Sequence, residues 1–509
     1  MRSSSRGSLA SLARIAGGRA AGRGLPLVAV ALALALTGDL DRHPYRTLAL
    51  LAAGFLWQAL AVRGLEASRR PAARGILVVA LLSRLPLLAL PPALSDDLLR
   101  YVWDGRVAAA RHDPYRLPPD AAELAPLRDA LWTKLPHRDV PTVYPPLAVG
   151  LFSIAARTPW PQAALKGALT AADLAACWLL IALARRRGVP EARAAWYAWS
   201  PLVALETAGM GHVDALGAAA AVAAVLALSR RAGSAAHGEP GGESRPVPPP
   251  GGGGGGSGAG PSASGAAPRI PAAFTAALAA AAGVLAKLAP LAALPMWARQ
   301  SRRPALFAAV ALLTVAAGLG PVVAGAGGVP PGLVAYGVSW EFNGPLYEPL
   351  WRAIDALGLD AMARSGLDLF EARTGAWRAA DPLYPLIYPQ LLARLLLAAG
   401  AAGAVARSLR ARDPVAGSRD LFGALLVFSP TVYPWYLLWV LPFAALTRAP
   451  AWLALVALAP LAYLPRLVPG LEPFPWVWAA IWGPFALLLV GRPAAARWRR
   501  WLAARRTAA

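Results

Sequence analysis

Cysteine occurs once in these 509 residues, as Cys177 inside an apolar run, so neither an intrachain disulfide nor a CxxC or cysteine-zinc site can form. Charge is also scarce. Only 15% of residues are charged against 57% hydrophobic, a balance that a soluble core does not need and a chain crossing a membrane many times does. Acidic residues are the scarcer sign, 27 against 50 Lys and Arg, for a formal net charge of +23. That excess would suit nucleic acid, but the arginines stand in short runs between apolar segments, and no basic face is interleaved with stacking aromatics. Nucleic acid is therefore excluded as a partner. The four methionines, set beside abundant Ala, Arg, Pro and Gly, match a GC-rich bacterial genome.

Apolar runs fall at 25–38, 47–62, 75–91, 165–184, 193–209, 212–229, 272–286, 288–298, 305–324, 388–408, 420–433, 435–448, 451–466 and 475–490, which predicts an all-α integral membrane bundle with about 12–14 transmembrane helices. Several are short for a hydrocarbon core of about 30 Å and must tilt, break or extend into interfacial residues. Basic clusters at Arg63/Arg69/Arg70/Arg74, Arg185/Arg186/Arg187, Arg230/Arg231, Arg299/Arg302/Arg303, Arg407/Arg410/Arg412 and Arg497/Arg499/Arg500 are expected to be cytoplasmic, as are both termini. The expected location is a bacterial inner (plasma) membrane. Run 25–37 after its basic leader resembles a signal peptide, but no cleavage site stands out before Gly38 and Asp39.

The division that follows is a basic leader at 1–24, a first membrane half at 25–231 with an outer loop at 92–164, a second half at 269–491 with an outer loop at 325–387, and a basic tail at 492–509. Between the halves, 232–268 is rich in Gly, Pro, Ser and Ala with six successive glycines at 251–256, the composition of a disordered cytoplasmic linker. No repeat relates the halves. The apolar stretch 144–157, preceded by two prolines, reads as a juxtamembrane helix on the outer face.

Five polar clusters converge on that face. The first opens at Ser95 and carries Asp96, Asp97, Arg100, Tyr101, Trp103, Asp104 and Arg106. The others are Glu206 to Asp214 with His212, Lys287 with Pro290, Trp340 to Gly344 with Glu341 and Asn343, and Tyr433 to Tyr436 with Trp435. Ionisable groups at a bilayer edge are incompletely solvated and are usually kept for binding or chemistry. Four of them have a plainer reading: a headgroup-facing loop for the first, a helix cap for His212 and Asp214, a snorkelling side chain for Lys287, and an interfacial belt for Trp435 and Tyr436. Asp173, with no second acid in its span, reads as a helix-to-helix hydrogen-bonding residue.

Asp96-Asp97-Leu98-Leu99-Arg100-Tyr101-Val102-Trp103-Asp104-Gly105-Arg106, Asp113-Pro114-Tyr115, Tyr144-Pro145-Pro146-Leu147, Gly211-His212-Val213-Asp214, Lys287-Leu288-Ala289-Pro290, Trp340-Glu341-Phe342-Asn343 and Tyr433-Pro434-Trp435-Tyr436 stand in order along most of residues 75–445. Taken together they resemble the polyprenol-phosphate-mannose-dependent mannosyltransferases of the GT-C glycosyltransferase superfamily. The resemblance implies a multi-helix membrane fold, a lipid-phosphate-linked sugar donor, catalysis on the extracytoplasmic side, and a first-loop acid as the base. The Gly-rich insertion at 232–268 departs from it.

The chemistry can be argued from the residues as well. Transfer to an acceptor hydroxyl needs a carboxylate base, worth about 10²–10⁴-fold, which Asp96 or Asp97 can supply. The departing lipid phosphate needs cationic stabilisation, for which Arg100, Arg106 or Lys287 are suited. One displacement inverts configuration, without the covalent intermediate of retaining hydrolases. Tyr101, Trp103, Asp104, His212, Asp214, Trp340, Asn343, Tyr433 and Trp435 are candidate substrate-binding residues. Adjacent carboxylates are able to hold Mg²⁺ or Mn²⁺, but these residues do not define a metal site. The expected partners are a polyprenyl-phosphate sugar, a glycan or glycolipid acceptor, and membrane lipid. The alternative class is a secondary transporter or lipid-linked sugar flippase, which calls for broken helices, midplane charges and short loops.

Overall fold

The structure is a computed structural model that describes residues 18–68, 70–229, 271–375, 378 and 381–491. The expected linker 232–268, most of the leader and the tail 492–509 lie outside the described residues. Six helices are long and apolar enough to cross a membrane: Pro44–Ser68, Pro161–Arg186, Pro304–Ala326, Pro389–Ser408, Pro450–Leu467 and Pro473–Gly491. Four shorter apolar helices accompany them: Ala20–Ala35, Pro146–Ala156, Asp214–Leu228 and Ala272–Ala286. The architecture is all-α and polytopic. The described residues hold no strand, only isolated bridges from Phe342 and Asn343 to Thr431.

Three runs that read as continuous spans are broken. Run 193–209 becomes Ala195–Ala198, Pro201–Ala204 and the π-helical Leu205–Gly209. Pro201 has no N–H to continue the ladder, and Ser200 restarts the chain by accepting the Val203 amide at 3.5 Å. Run 288–298 becomes the 3₁₀ segment Ala289–Ala293 and the helix Leu294–Gln300, and run 435–448 becomes the 3₁₀ segment Pro434–Trp439 and the helix Leu441–Thr447. Irregular backbone at such depth survives only where protein or a polar cavity satisfies it. The breaks in 288–298 and 435–448 border the same cavity.

Residues 92–164, the expected first outer loop, form a folded cap. The helix Asp97–Ala109 lies on Pro146–Ala156, the expected juxtamembrane helix, with Tyr101 and Phe152 stacked at 4.5 Å. Contact is so close at Gly105 that a Cβ there would stand 2.3 Å from the Phe152 carbonyl oxygen. The second loop docks on the first in the same manner: a Cβ at Gly332 would stand 2.5 Å from the Pro141 carbonyl oxygen.

At the opposite end, arginines tie segments before the expected linker to segments after it. Arg187 pairs with Asp413 at 2.7 Å, Arg448 with Glu66 at 3.0 Å, and Arg193 donates to the Leu446 carbonyl at 2.8 Å. Inside the bundle, Asp173 accepts from Arg84 Nε at 2.8 Å, both side chains fully enclosed, and from Thr207 at 3.3 Å. Its role is the helix-to-helix one expected of it.

Candidate functional site

The cavity, of about 460 Å³, opens between the two expected outer loops and is floored by the broken segments at 288–298 and 435–448. Its only carboxylates among the described lining residues are Asp96 and Asp97, which sit at the start of the helix Asp97–Ala109. Their surroundings differ. Asp96 is held by both arms of Arg466, at 3.0 and 3.1 Å. Asp97 has no guanidinium partner. It accepts from Tyr101 Oη at 3.3 Å, its amide donates to Ser95 Oγ at 3.2 Å, and its Oδ2 lies 4.0 Å from His212 Nε2.

Below Asp97 lies a fully buried layer. The turn that carries it is made by Gly211, whose φ of +77° is open to glycine, so that the His212 amide reaches back to the Glu206 carbonyl at 2.9 Å. His212 Nε2 is 3.0 Å from Ser95 Oγ, and Nδ1 is 3.0 Å from Glu206 Oε2, off the line of a hydrogen bond. Tyr463 donates to the other Glu206 oxygen at 2.7 Å.

One wall is a ladder of four rings. His212 stacks on Trp435 at 3.8 Å, Trp435 on Tyr433 at 4.5 Å, and Tyr433 on Phe342 at 4.4 Å. The 3₁₀ segment Pro434–Trp439 and its N-cap residue Tyr433 supply the middle rings, and the bridge of Phe342 to Thr431 brings in the last. Such a wall suits the apolar face of a sugar ring. Tyr336 bonds Tyr436 Oη at 2.6 Å, and burial pushes the Tyr336 hydroxyl up to about 12, so it stays a neutral hydrogen-bonding group.

Lys287 enters where the helix Ala272–Ala286 ends. Its ammonium is 3.4 Å from the buried Asp214 Oδ2 and faces the rings of Tyr436 and Tyr144 at 5.2 and 5.6 Å. Trp439 donates to the second Asp214 oxygen at 2.8 Å. Asp214 thus orients Lys287 from the first turn of its helix, doing more than capping it.

Of the sequence-predicted residues, Asp96, Asp97, Arg100, Lys287, Trp340, Tyr433 and Trp435 line the cavity. Tyr101, His212 and Asp214 stand directly behind it. Arg100 lines it with its donors already engaged: Asp104 at 2.8 Å and the carbonyls of His137 and Val140 at 3.1 and 2.6 Å. Burial raises the Asp104 carboxyl above its usual range while Arg100 opposes the shift, which makes the pair a brace for the 137–140 loop. Arg106 is outside the cavity, bonded to Asp129 at 2.7 Å on the surface. Trp103 is buried in a separate core with Val107, Leu124 and Leu135. Asn343, at φ +51°, uses its side-chain oxygen to accept from Trp482 at 3.0 Å, and Glu341 is taken by Arg394 at 2.8 Å. For these the helical or turn geometry directs the polar atoms inward to protein.

Sequence reasoning missed Arg466, Tyr463, Tyr336 and Trp439, and quoted Glu206 without giving it a role. For Arg466 a signal existed: it stands at the far end of a run whose near end carries Arg448, against the charge bias used for orientation. Among the described residues no cluster of three or more His, Cys, Asp or Glu is arranged to hold a metal ion.

A family model described as MptA_B family, alpha-(1->6)-mannopyranosyltransferase, N-terminal domain, matches residues 5–319. No curated protein and no solved structure matches the chain.

Proposed function

This chain belongs to the MptA_B family of alpha-(1->6)-mannopyranosyltransferases, and on that premise we propose that it moves mannose from a polyprenyl-phosphate donor to a hydroxyl of a glycan or glycolipid, on the extracytoplasmic face, in one inverting displacement. The observation that carries this reading is that Asp97 is the one carboxylate among the described lining residues without a guanidinium partner, in a cavity that Arg100, Lys287, Arg466 and stacked rings also line. Asp97 takes the acceptor proton as the acceptor oxygen attacks the anomeric carbon, and the electron pair of the broken bond leaves on the lipid phosphate. A retaining route would need a second free carboxylate as nucleophile. Lys287 and Arg466 receive the phosphate charge, where partial desolvation makes each contact stronger than in water.

Charge bias supports the outward face, since arginine clusters terminate the helices at the end away from the cavity. Broken helices, the mark of the transporter alternative, are present, but they floor a cavity under two long loops at one end of the bundle. Purified protein incubated with polyprenyl-phosphate radiolabelled mannose and a lipid extract is expected to pass label to an acceptor. Consumption of a nucleotide sugar alone, with the lipid donor untouched, would overturn the donor assignment. Facing is read in a Cys177→Ala background: Asp120→Cys should label from outside intact cells and Ala411→Cys should not.

A further inference from the structure

We infer that the end of the bundle away from the cavity carries a second binding site, a pocket for a phosphate anion walled by Arg187, Arg299, Arg410 and Arg412. The inference stands apart from the sugar-transfer reading.

The pocket, of about 770 Å³, lies where helices that start at the cavity come to an end. Asp214–Leu228 begins beside Lys287, and its 15 residues carry Leu228 into this wall about 20 Å away. Pro389–Ser408 runs the same way: Arg394, near its start, bonds the Trp340 carbonyl, and Arg410 follows its last turn.

Three observations carry the inference. First, the described lining residues include four arginines and no carboxylate. Asp413, beside the wall, is already engaged: its oxygens meet Arg187 at 2.7 and 2.8 Å, and one of them accepts the Val415 amide at 3.1 Å. The guanidinium groups of Arg299, Arg410 and Arg412 make no hydrogen bond or ion pair among the described residues.

Second, the plainer readings of these arginines do not account for the arrangement. Charge bias asks for arginines at this end of the helices, not for arginines from three separate stretches to converge on one concavity without an acid. Arg299 and Arg410 stand at helix C-termini, where a cation commonly bonds the last carbonyls, yet neither guanidinium bonds one among the described residues. Like charges gathered in this way repel one another, and an anion relieves that repulsion. The planar fork of each guanidinium takes phosphate oxygens two at a time.

Third, the walls are fixed before any ligand arrives. Gln300 Nε2 donates to the Ala411 carbonyl at 3.0 Å, Trp297 Nε1 donates to Ser418 Oγ at 3.0 Å, and the Arg187–Asp413 pair closes the third side. The turn that carries Arg410 and Arg412 therefore has little backbone freedom to lose on binding. Basic pockets between membrane helices hold anionic head groups, so the phosphate is supplied by a phospholipid or from solution.

The test uses the full chain in detergent and follows its unfolding midpoint at constant ionic strength. The additions are inorganic phosphate, phosphatidylglycerol or phosphatidylcholine, since a ligand of the folded state raises the midpoint. Wild type should respond to inorganic phosphate or phosphatidylglycerol and not to phosphatidylcholine. Arg299→Gln with Arg412→Gln should need about tenfold more of that ligand or worse, the scale of losing charge-assisted contacts. Arg63→Gln with Arg74→Gln removes the same charge from exposed arginines outside the pocket and should respond as wild type does. A response to inorganic phosphate that phosphatidylglycerol does not exceed identifies a free anion, and a response to phosphatidylglycerol alone identifies a lipid headgroup. No response in wild type, or equal weakening in the two double variants, overturns the inference. If the pocket double variant does not fold, Arg299→Gln is compared with Arg63→Gln, and equal responses overturn it in the same way.

Discussion

Arg466 and Asp96, 370 positions apart, meet fork to fork at 3.0 and 3.1 Å across the mouth of the cavity. That contact separates two adjacent carboxylates that no spacing argument can separate. Asp97→Asn should cost about 10²–10⁴-fold in kcat, the usual worth of a general base, with folded protein retained. Asp96→Asn should cost far less and act mainly on donor KM, since it changes only the partner of Arg466. Equal losses in the two variants, measured with the lipid donor, would contradict the assignment.

Donor kinetics should sort the cations. Lys287→Met keeps side-chain volume and removes the charge beside Asp214, so it should raise donor KM and slow the step in which lipid phosphate departs. Arg466→Lys keeps charge but loses the planar fork and should weaken donor use about tenfold, the effect of one charge-assisted bond. Arg106→Lys should leave donor kinetics near wild type, because its partner is the surface Asp129.

Gly105→Ala should destabilise the first cap by roughly 1–3 kcal/mol or more, since the added Cβ would stand 2.3 Å from a backbone oxygen and backbone must move to admit it. Thermal unfolding in detergent reads this directly. Gly150→Ala, in open space on the facing helix, is the control and should be neutral or slightly stabilising.

The enclosed Arg84–Asp173 pair should respond asymmetrically. Asp173→Leu alone strands a buried guanidinium and should cost about 3–5 kcal/mol, whereas the double variant Arg84→Met with Asp173→Leu should recover most of that loss. Equal stability of the single and double variants would show the charges to be independent.

Glu191 gives a pH-dependent contribution. Burial opposes its ionisation, but Arg185 and the amides of Ala72 and Ala73, which it caps at 3.1 and 3.0 Å, hold its carboxyl below the ordinary Glu value. A lowered folded-state value means stability that is present above the unfolded carboxylate range and lost as pH falls through the folded one. Glu191→Gln should therefore lower the unfolding midpoint at pH 7 by the equivalent of about 1 kcal/mol, with the difference from wild type shrinking in acid.

Much of the site could be read from spacing, and some of what misled was also written there. Arg100 and Asp104 stand at i and i+4, the separation at which helical side chains meet, so their mutual engagement was legible in the sequence. The ordered motifs put Lys287, Trp435 and Asp97 on one face, and the cavity unites them. Trp103 and Asn343 gave no such sign. Which way an aromatic or an amide turns depends on the helix rotation and on the turn that carries it.

What the sequence determined alone is what composition and periodicity can encode: many apolar helices, arginines gathered at one set of ends, and polar clusters gathered at the other. These follow from local hydrophobicity and charge, which act on each segment separately. Only the tertiary structure decided that Glu206 lies under His212, that Tyr463 reaches it from 257 positions away, and that Arg466 occupies Asp96 and leaves Asp97 free. The reason is physical: ion pairs and ring stacks between distant segments form only after helices have packed, and packing fixes rotation and depth to within an ångström, a quantity that no local pattern carries.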